Sequence, residues 1–289
     1  MTDAFMVMQW PLIACLILPG LLVYLGLHIV RRGIIFVDLA LAQMAALGTC
    51  VAVLMHYTVH DWQTYGLAAG FTFVGAIVFT FTRSQAHRVP QEALIGIVYV
   101  VAAAAGILLL SNSPEGNEEL RRTLIGDVLL VRWDEVLKTF GLYVVIGGIH
   151  WAFRRQFLAL SFDPPKARVM GLSIRVWDFI FYVLFGFVVT SFVQIGGVLL
   201  VFSYLIIPAV CASFLTDTLG KRLAVAWTVA TSGSILGLFS AYKLDLPTGA
   251  AIVCTLGLLL VASMTWNWLA GGRAPRDTEQ QPRMDTNEH

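Results

Sequence analysis

Long apolar segments, separated by short polar loops, recur from one end of the chain to the other. Most of them are long enough to cross about 30 Å of hydrocarbon as a helix, so we predict nine membrane spans. The fifth is short, and the sixth and seventh are divided only by Gly196-Gly197, which leaves counts of eight and ten open. The predicted spans are residues 10–30, 33–56, 65–82, 92–111, 139–153, 177–194, 196–215, 223–241 and 247–269. The pattern predicts an all-α, polytopic transmembrane helical bundle over residues 1–270.

Two further segments do not have the pattern of a span. Residues 112–138 hold an apolar patch, Leu124 to Val131, that is too short to cross, and we expect it to be re-entrant or to lie at the membrane interface. Residues 271–289 are rich in Pro, Gln, Asp and Arg and have little to bury. We predict a disordered cytoplasmic tail there.

Composition and charge agree with a membrane protein and orient it. Apolar residues make up 58% of the chain and charged residues 13%, whereas soluble domains have about half and about a quarter. The net charge of +1 gives no indication of nucleic-acid binding. With the N-terminus outside, the inner side receives 14 of the 19 Lys and Arg residues and the outer side 5. This bias predicts an external N-terminus and a cytoplasmic C-terminus.

A short basic loop after the fifth span has the features of a defined helix. It runs from Ser161 to Gly171 and reads SFDPPKARVMG. An acidic N-cap, prolines in the first turn and a terminal glycine predict a helix of about two turns. From the loop alone, two interpretations are open: a capped helix at the membrane interface, or a coupling helix that docks on a cytoplasmic ATPase. The residues of the coupling interpretation are Asp163, Lys166, Ala167, Arg168 and Gly171.

Asp38 is the acid that lies most clearly within a predicted span. A carboxylate inside the bilayer is costly and usually faces the protein interior or a water-filled path, where it can bind a cation or relay a proton. The alternative is that Asp38 pairs with Arg31 or Arg32 at the membrane edge. Gln43 is the next polar residue in the same span, and we consider whether it could share a cation site with Asp38. Because five residues turn a helix by about 140°, Asp38 and Gln43 share a ligand face only if a π-bulge intervenes.

Four further positions are candidates for the transport path and its movement. Glu92 begins the fourth span, where it either lines the cation path or stabilises the helix N-terminus. Pro208 removes a backbone hydrogen bond inside the seventh span and is a predicted bend point. Gly196 and Gly197 would let spans six and seven change direction.

The order of these elements resembles the metal-ion ABC permease family, the membrane subunits of bacterial zinc, manganese and iron importers. The resemblance covers about residues 11–269. It implies the many-helix fold of the type II ABC importers. It rests on five segments in the right order, residues 31–48, 91–96, 126–129, 162–171 and 197–209.

The resemblance also implies partners and roles. The chain would form a homodimer with a second permease copy, recruit a cytoplasmic ATP-binding subunit, and receive a divalent metal ion, zinc or manganese, from an external solute-binding protein. The metal would be the transported substrate, and no cofactor is expected. Asp163, Ala167 and Gly171 match the family's docking motif, and Asp38 matches an acidic position on the metal path. The chain has no GxxxxGK[ST] motif, so it is not expected to be an ATPase itself.

One position departs from the family pattern. Many zinc and manganese members have a His four residues after the Asp, where this chain has Ala42. Without the imidazole, the remaining candidate ligands are harder oxygen donors, so the sequence does not identify which metal is transported. Two rival hypotheses stay open: a stand-alone secondary cation transporter or channel built around Asp38, for which buried acid pairs or repeat halves would be expected, and a non-transporting scaffold.

Overall fold

The computed structural model describes residues 2–58, 61–83, 90–111, 116–126 and 128–270, and every regular element in this part of the chain is helical. The all-α prediction is therefore confirmed. The predicted disordered tail, residues 271–289, lies outside the described residues. The helices are α1 (Thr2–Arg32), α2 (Val37–Leu54), α3 (Trp62–Arg83), α4 (Gln91–Leu110), α5 (Gly116–Ile125), α6 (Trp133–Ala152), α7 (Arg154–Phe162), α8 (Pro164–Val169), α9 (Ile174–Leu215), α10 (Leu219–Leu244) and α11 (Thr248–Leu269), with a short 3₁₀ turn at Val128–Leu130.

The helix ends gather on two sides of the bundle. Arg32 in the last turn of α1 forms an ion pair with Asp178 in the second turn of α9. The start of α10, at Leu219 and Gly220, lines one cavity together with Arg154 at the start of α7. We call this side of the molecule the basic end, because it carries Arg31, Arg32, Arg154, Arg155, Lys166 and Arg168. The other side, where α2 ends and α3 begins, is called the opposite end.

Helix α9 consists of two spans folded back on each other. Gly197 has φ 73° and ψ 169°, which no helical residue adopts. The rings of Phe192 and Tyr204 lie 5.7 Å apart. On a straight helix these residues would be separated by about 18 Å. Since α9 also begins and ends near the basic end, its halves cross the bundle in opposite directions. The predicted separation of spans six and seven at Gly196-Gly197 is confirmed.

The count of spans follows from this fold. Seven helices of the described chain are long and apolar enough to cross a membrane, and α6 with α7, bent by 77° at their junction, is an eighth candidate. Counting α9 twice gives the nine predicted spans. The fifth is longer than predicted, because α6 begins at Trp133, where the Glu135 carboxylate accepts a hydrogen bond of 3.0 Å from the Arg132 amide.

Glycines hold the turn of α9 against its neighbours at the opposite end. A Cβ on Gly197 would lie 2.5 Å from the Gly126 amide nitrogen, and one on Gly126 would lie 2.2 Å from the Gly196 carbonyl carbon. A Cβ on Gly249 would lie 2.0 Å from the Ile125 carbonyl oxygen. The apolar patch predicted not to cross therefore begins at a close backbone contact between α5, α9 and α11. Its Val128 is buried in the bundle core.

Candidate functional site

The predicted docking helix is present as α8 at the basic end. Asp163 precedes it, and its Oδ1 accepts a hydrogen bond of 3.1 Å from the Lys166 amide. Prolines occupy the first helical positions, where no N–H is needed. Gly171, with φ 65°, follows the helix in the left-handed conformation that glycine adopts without strain. The helix predicted from capping residues is confirmed.

The faces of α8 differ sharply in exposure. Ala167 is fully buried and packs with Ala159 and Leu160 of α7. Lys166 and Arg168 are exposed, and Val169 is 89% exposed. Ala167 thus packs α8 against α7, while the exposed side of α8 presents two cationic side chains and one apolar side chain. Val169 was not singled out by the sequence pattern, because one valine in a short loop carries no periodic signal.

A buried polar network ties this loop to the membrane helices. The Ser161 hydroxyl, two residues before Asp163, accepts a hydrogen bond of 2.8 Å from Nε of Arg32 and lies 2.8 Å from Nδ1 of His28. Arg32 also donates to Asp178 at 2.8 Å, and both side chains of this ion pair are almost fully buried. The network joins α1, α7 and α9 directly beside the docking helix.

Asp178 is a second buried acid, and the sequence pattern did not identify it as a candidate site residue. It lies within the predicted sixth span, one residue from its edge, where an acid is ordinarily solvated. The available signal was an arginine at the end of one span and an acid at the start of another. Only the packing of α1 against α9 shows that they pair.

Asp38 is fully buried in the first turn of α2. Its Oδ1 accepts a hydrogen bond of 2.8 Å from the Leu39 amide, and its Oδ2 has no hydrogen-bond partner in the described part of the chain. Helix α2 begins at Val37, four residues after the predicted start of the second span, because Gly33 with φ 66° begins a turn before it. The alternative pairing with Arg32 is not formed, since Asp178 occupies that arginine.

Gln43 and Asp38 lie on different faces of one regular helix. Gln43 is buried, and its Oε1 has no partner among the described residues. Helix α2 is α-helical throughout Val37–Leu54, so the π-bulge that would align the two side chains is not present. The described residues contain no group of three or more His, Cys, Asp or Glu side chains that could hold a metal ion.

Glu92 lies at the basic end, beside the turn that precedes α2. Its carboxylate accepts a hydrogen bond of 3.0 Å from the Ile35 amide. This hydrogen bond therefore holds the start of α4 against the turn that precedes Asp38.

The predicted hinge residues differ in their backbone conformation. Gly197 is the residue within α9 whose dihedral angles leave the helical region, and Gly196 packs beside it against Phe192. Pro208 is buried within the helical second half of α9. In this conformation the change of direction lies at Gly197, and bending at Pro208 stays a prediction.

A pocket with several polar side chains in a mainly apolar lining lies at the opposite end, between α3, α6 and α9. Its volume is about 350 Å³, and its lining includes Asp61, Glu135 and Gln194. Deeper in the lining, the Thr139 and Ser191 hydroxyls form a hydrogen bond of 3.0 Å. Its charged side chains are Asp61, Glu135 and Lys138, and carboxylate and carbonyl oxygens suit hard cations such as Mn²⁺.

A polytopic helical bundle with a capped, exposed helix at one end and buried polar groups has the features of a membrane permease. A family model described as "ABC 3 transport family" matches residues 4–267. The chain belongs to this family, as the ordered motifs predicted.

Individual relatives agree with this assignment. The chain is 30% identical over 232 residues to the manganese transport system membrane protein MntC of Listeria monocytogenes, covering 79% of each chain. It is 26% identical over 272 residues to the chelated iron transport system membrane protein YfeD of Yersinia pestis, covering 91% of this chain and 86% of that one. The solved structure of PsaBC from Streptococcus pneumoniae in complex with Fab contains a chain of the same fold, with a TM-score of 0.78 and 23% identity over 93% of this chain and 98% of that chain.

Proposed function

We propose that this protein is the permease subunit of an ABC importer for a divalent transition-metal ion, and that a separate ATPase subunit drives it. The observation that carries the proposal is the family match over residues 4–267, together with a capped helix α8 that is exposed at the basic end. Relatives are named for manganese and for chelated iron, which supports a transition metal as the substrate. Zinc stays a candidate alongside them.

Under this proposal the basic end faces the cytoplasm and the chain is a multi-pass protein of the bacterial inner membrane. The excess of Lys and Arg at that end supports this orientation. The N-terminus would be external and the C-terminus cytoplasmic. An external solute-binding protein would deliver the metal to the opposite end, and a second copy of the permease would complete the transporter.

The metal would enter at the pocket between α3, α6 and α9 and leave past the start of α2. Asp61 and Glu135 would attract the ion at the pocket. Asp38 is the carboxylate that could bind it near the basic end, because its Oδ2 is buried without a partner among the described residues. Gln43 would contribute from another face of α2, and Glu92 would hold the turn beside Asp38.

Coupling to ATP would run through α8 into the bundle. Movement of the ATPase pair would press on Lys166, Arg168 and Val169, and Ala167 would transmit the movement because it packs on α7. Ser161 at the end of α7 is bonded to Arg32, which is paired with Asp178 of α9. The push would therefore reach α1 and α9 together, with Gly196, Gly197 and Pro208 as the positions where α9 could change shape.

Co-purification with the candidate ATPase tests this proposal. Tagged permease should retain the ATPase, and Val169→Asp should reduce the retained amount at least tenfold, because it places a charge on the exposed apolar position of the docking face. Asp163→Ala and Gly171→Arg should also reduce it, by removing the cap of α8 and by forcing a large residue into a left-handed position.

The matched control is Val176→Asp, which makes the same change at an exposed valine of α9 outside the capped motif. It should leave ATPase binding intact. The importer proposal fails if the permease never retains an ATPase and if purified permease alone transports metal when a gradient of another ion is imposed. The stand-alone carrier hypothesis then replaces it.

A further inference from the structure

An apolar cavity opens at the basic end between α1, α6, α7 and α10. Its volume is about 390 Å³, its surface is almost wholly apolar, and its lining includes Leu21 of α1, Leu158 of α7 and Leu223 of α10. His28 and His150 also line it, but both side chains are almost fully buried and so present little polar surface to the space. The cavity is therefore suited to a hydrocarbon group.

The mouth of this cavity is open and carries a cation. Trp151 is 71% exposed, and Arg154 and Gly220 are exposed beside it. The Arg154 guanidinium lies over the Trp151 ring at 5.0 Å and donates a hydrogen bond of 3.1 Å to the Trp151 carbonyl. It forms no ion pair with an acid of the described chain. Tryptophan and arginine side chains are typical of the membrane–water interface, where lipid headgroups lie.

The chain segments at the mouth have a positive charge. Asp217 is the one acid within residues 154–155 and 216–222, which hold four cations, Arg154, Arg155, Lys221 and Arg222. Asp217 lines a neighbouring pocket together with Lys221, and it does not line this cavity. Helices α7 and α10 both begin here, and neither has an acid in its first turn. Since the N-terminus of a helix also favours negative charge, the mouth of the cavity favours an anion.

The depth of the cavity matches one leaflet of a bilayer. Its lining extends from Arg154 at the mouth to Leu21 within the bundle. Leu21 precedes Arg31, at the end of α1, by ten residues, which is about 15 Å along the helix. That distance is half of the roughly 30 Å hydrocarbon core. The cavity therefore begins at headgroup level and reaches the depth of an acyl chain.

We propose that this cavity binds an anionic phospholipid, with an acyl chain between α1, α6, α7 and α10 and the phosphate group at Arg154. Basic pockets between membrane helices bind anionic headgroups in this way. A second permease copy related by a twofold axis would place the same cations opposite this mouth, where like charges repel. The inference uses the membrane-spanning fold and not the transported ion, so it stands independently of the proposed function.

Native mass spectrometry of the full-length permease in detergent tests the site, with dioleoyl phosphatidylglycerol and dioleoyl phosphatidylcholine as probes. Wild type should bind phosphatidylglycerol at least tenfold more tightly than phosphatidylcholine. Arg154→Gln should lower this preference about fivefold, the factor that one cation beside anionic lipid contributes. Gly147→Leu should weaken binding of both lipids at least tenfold. A Cβ at Gly147 meets nothing within 4 Å, so the leucine fits without a clash and takes part of the cavity.

The matched controls make the same changes outside the cavity. Gly148→Leu alters the next residue of α6, where a Cβ also meets nothing within 4 Å. Arg175→Gln alters an exposed arginine in the first turn of α9. Both variants should bind the two lipids as wild type does.

Three results would overturn the proposal. The first is equal affinity of wild type for the two lipids, and the second is unchanged binding by Gly147→Leu or Arg154→Gln. The third is displacement of phosphatidylglycerol by an equal concentration of glycerol 1-phosphate, which would make the site one for a free phosphate group. Loss of a permease dimer in Gly147→Leu, with lipid binding unchanged, would instead identify this face as an interface between copies.

Photolabelling gives a measurement that needs no variant. Phosphatidylglycerol with a diazirine in its acyl chain should label Leu158 and Leu223, and excess unlabelled phosphatidylglycerol should reduce this label more than excess phosphatidylcholine does. Val100 and Val101, each 61% exposed on α4, report contact with bulk lipid. Their label should fall equally with both lipids, and the same behaviour at Leu158 and Leu223 would contradict a specific site.

Discussion

At the scale of single residues, two buried acids at the basic end have different surroundings. Asp178 is matched by Arg32 at 2.8 Å, so its charge is satisfied within the protein. Asp38 receives one hydrogen bond from the backbone, and its second oxygen has no partner among the described residues. A carboxylate of the first kind stabilises a fold, while one of the second kind is suited to bind a passing cation or proton.

Asp38→Asn is expected to slow ATP-driven metal uptake at least tenfold while leaving the fold intact, because the amide keeps the size of the carboxylate but not its charge. Uptake by the assembled transporter in proteoliposomes measures the effect. Asp245→Asn, which changes an exposed acid that follows α10, is the control and should transport normally. Equal rates for wild type and Asp38→Asn would remove Asp38 from the metal path.

Asp178→Asn is expected to destabilise the protein by about 3–5 kcal/mol, because it leaves the Arg32 charge buried without its partner. Thermal unfolding of purified protein in detergent measures the loss. The double variant Arg32→Met with Asp178→Leu removes both charges and should be more stable than the single variant. If the single variant is as stable as wild type, the Arg32–Asp178 pair must be solvated by water in the folded protein.

At the scale of elements, glycine determines where helices turn. The left-handed conformations of Gly33, Gly171 and Gly197 lie after α1, after α8 and in the middle of α9. Of these, only Gly197 also has a backbone packed against it too closely for a side chain. Glycine is therefore required at position 197 for two reasons, the left-handed backbone conformation and the close backbone contact.

Gly197→Ala should prevent accumulation of folded permease, because the new methyl group would lie 2.5 Å from the Gly126 amide in a strained conformation. Yield after size-exclusion chromatography and thermal stability measure the effect. Gly141→Ala in α6 is the control, since a Cβ there meets nothing within 4 Å. It should stabilise the helix by roughly 0.5–1 kcal/mol. Normal stability of Gly197→Ala would contradict the close backbone contact between Gly197 and Gly126.

At the scale of the whole molecule, charge and fold agree on two distinct ends. The basic end holds helix α8, the Arg32–Asp178 pair, Asp38 and the cavity lined by Arg154. The pocket with Asp61 and Glu135 lies at the opposite end. Under the proposed function, an ion would meet Asp61 and Glu135 first and Asp38 last.

Labelling of single cysteines tests the orientation of these ends. In a variant whose four native cysteines are replaced by serine, Val169→Cys should react with a membrane-impermeant maleimide only after permeabilisation. Trp62→Cys should react in intact spheroplasts. Both side chains are highly exposed, at 89% and 79%, so access to the reagent is governed by the membrane. The reverse pattern would invert the proposed topology.

The sequence by itself determined the all-helical membrane fold, the division of α9 at Gly196-Gly197 and the capped helix α8. Each depends on local chemistry: the length of an apolar run, the conformation that glycine permits, or a side chain that caps its own helix. The tertiary structure alone decided that Asp178 pairs with Arg32 and that His28 and His150 line one cavity. These facts depend on which helices pack together, and residues more than a hundred positions apart leave no pattern in one sequence that identifies them as neighbours.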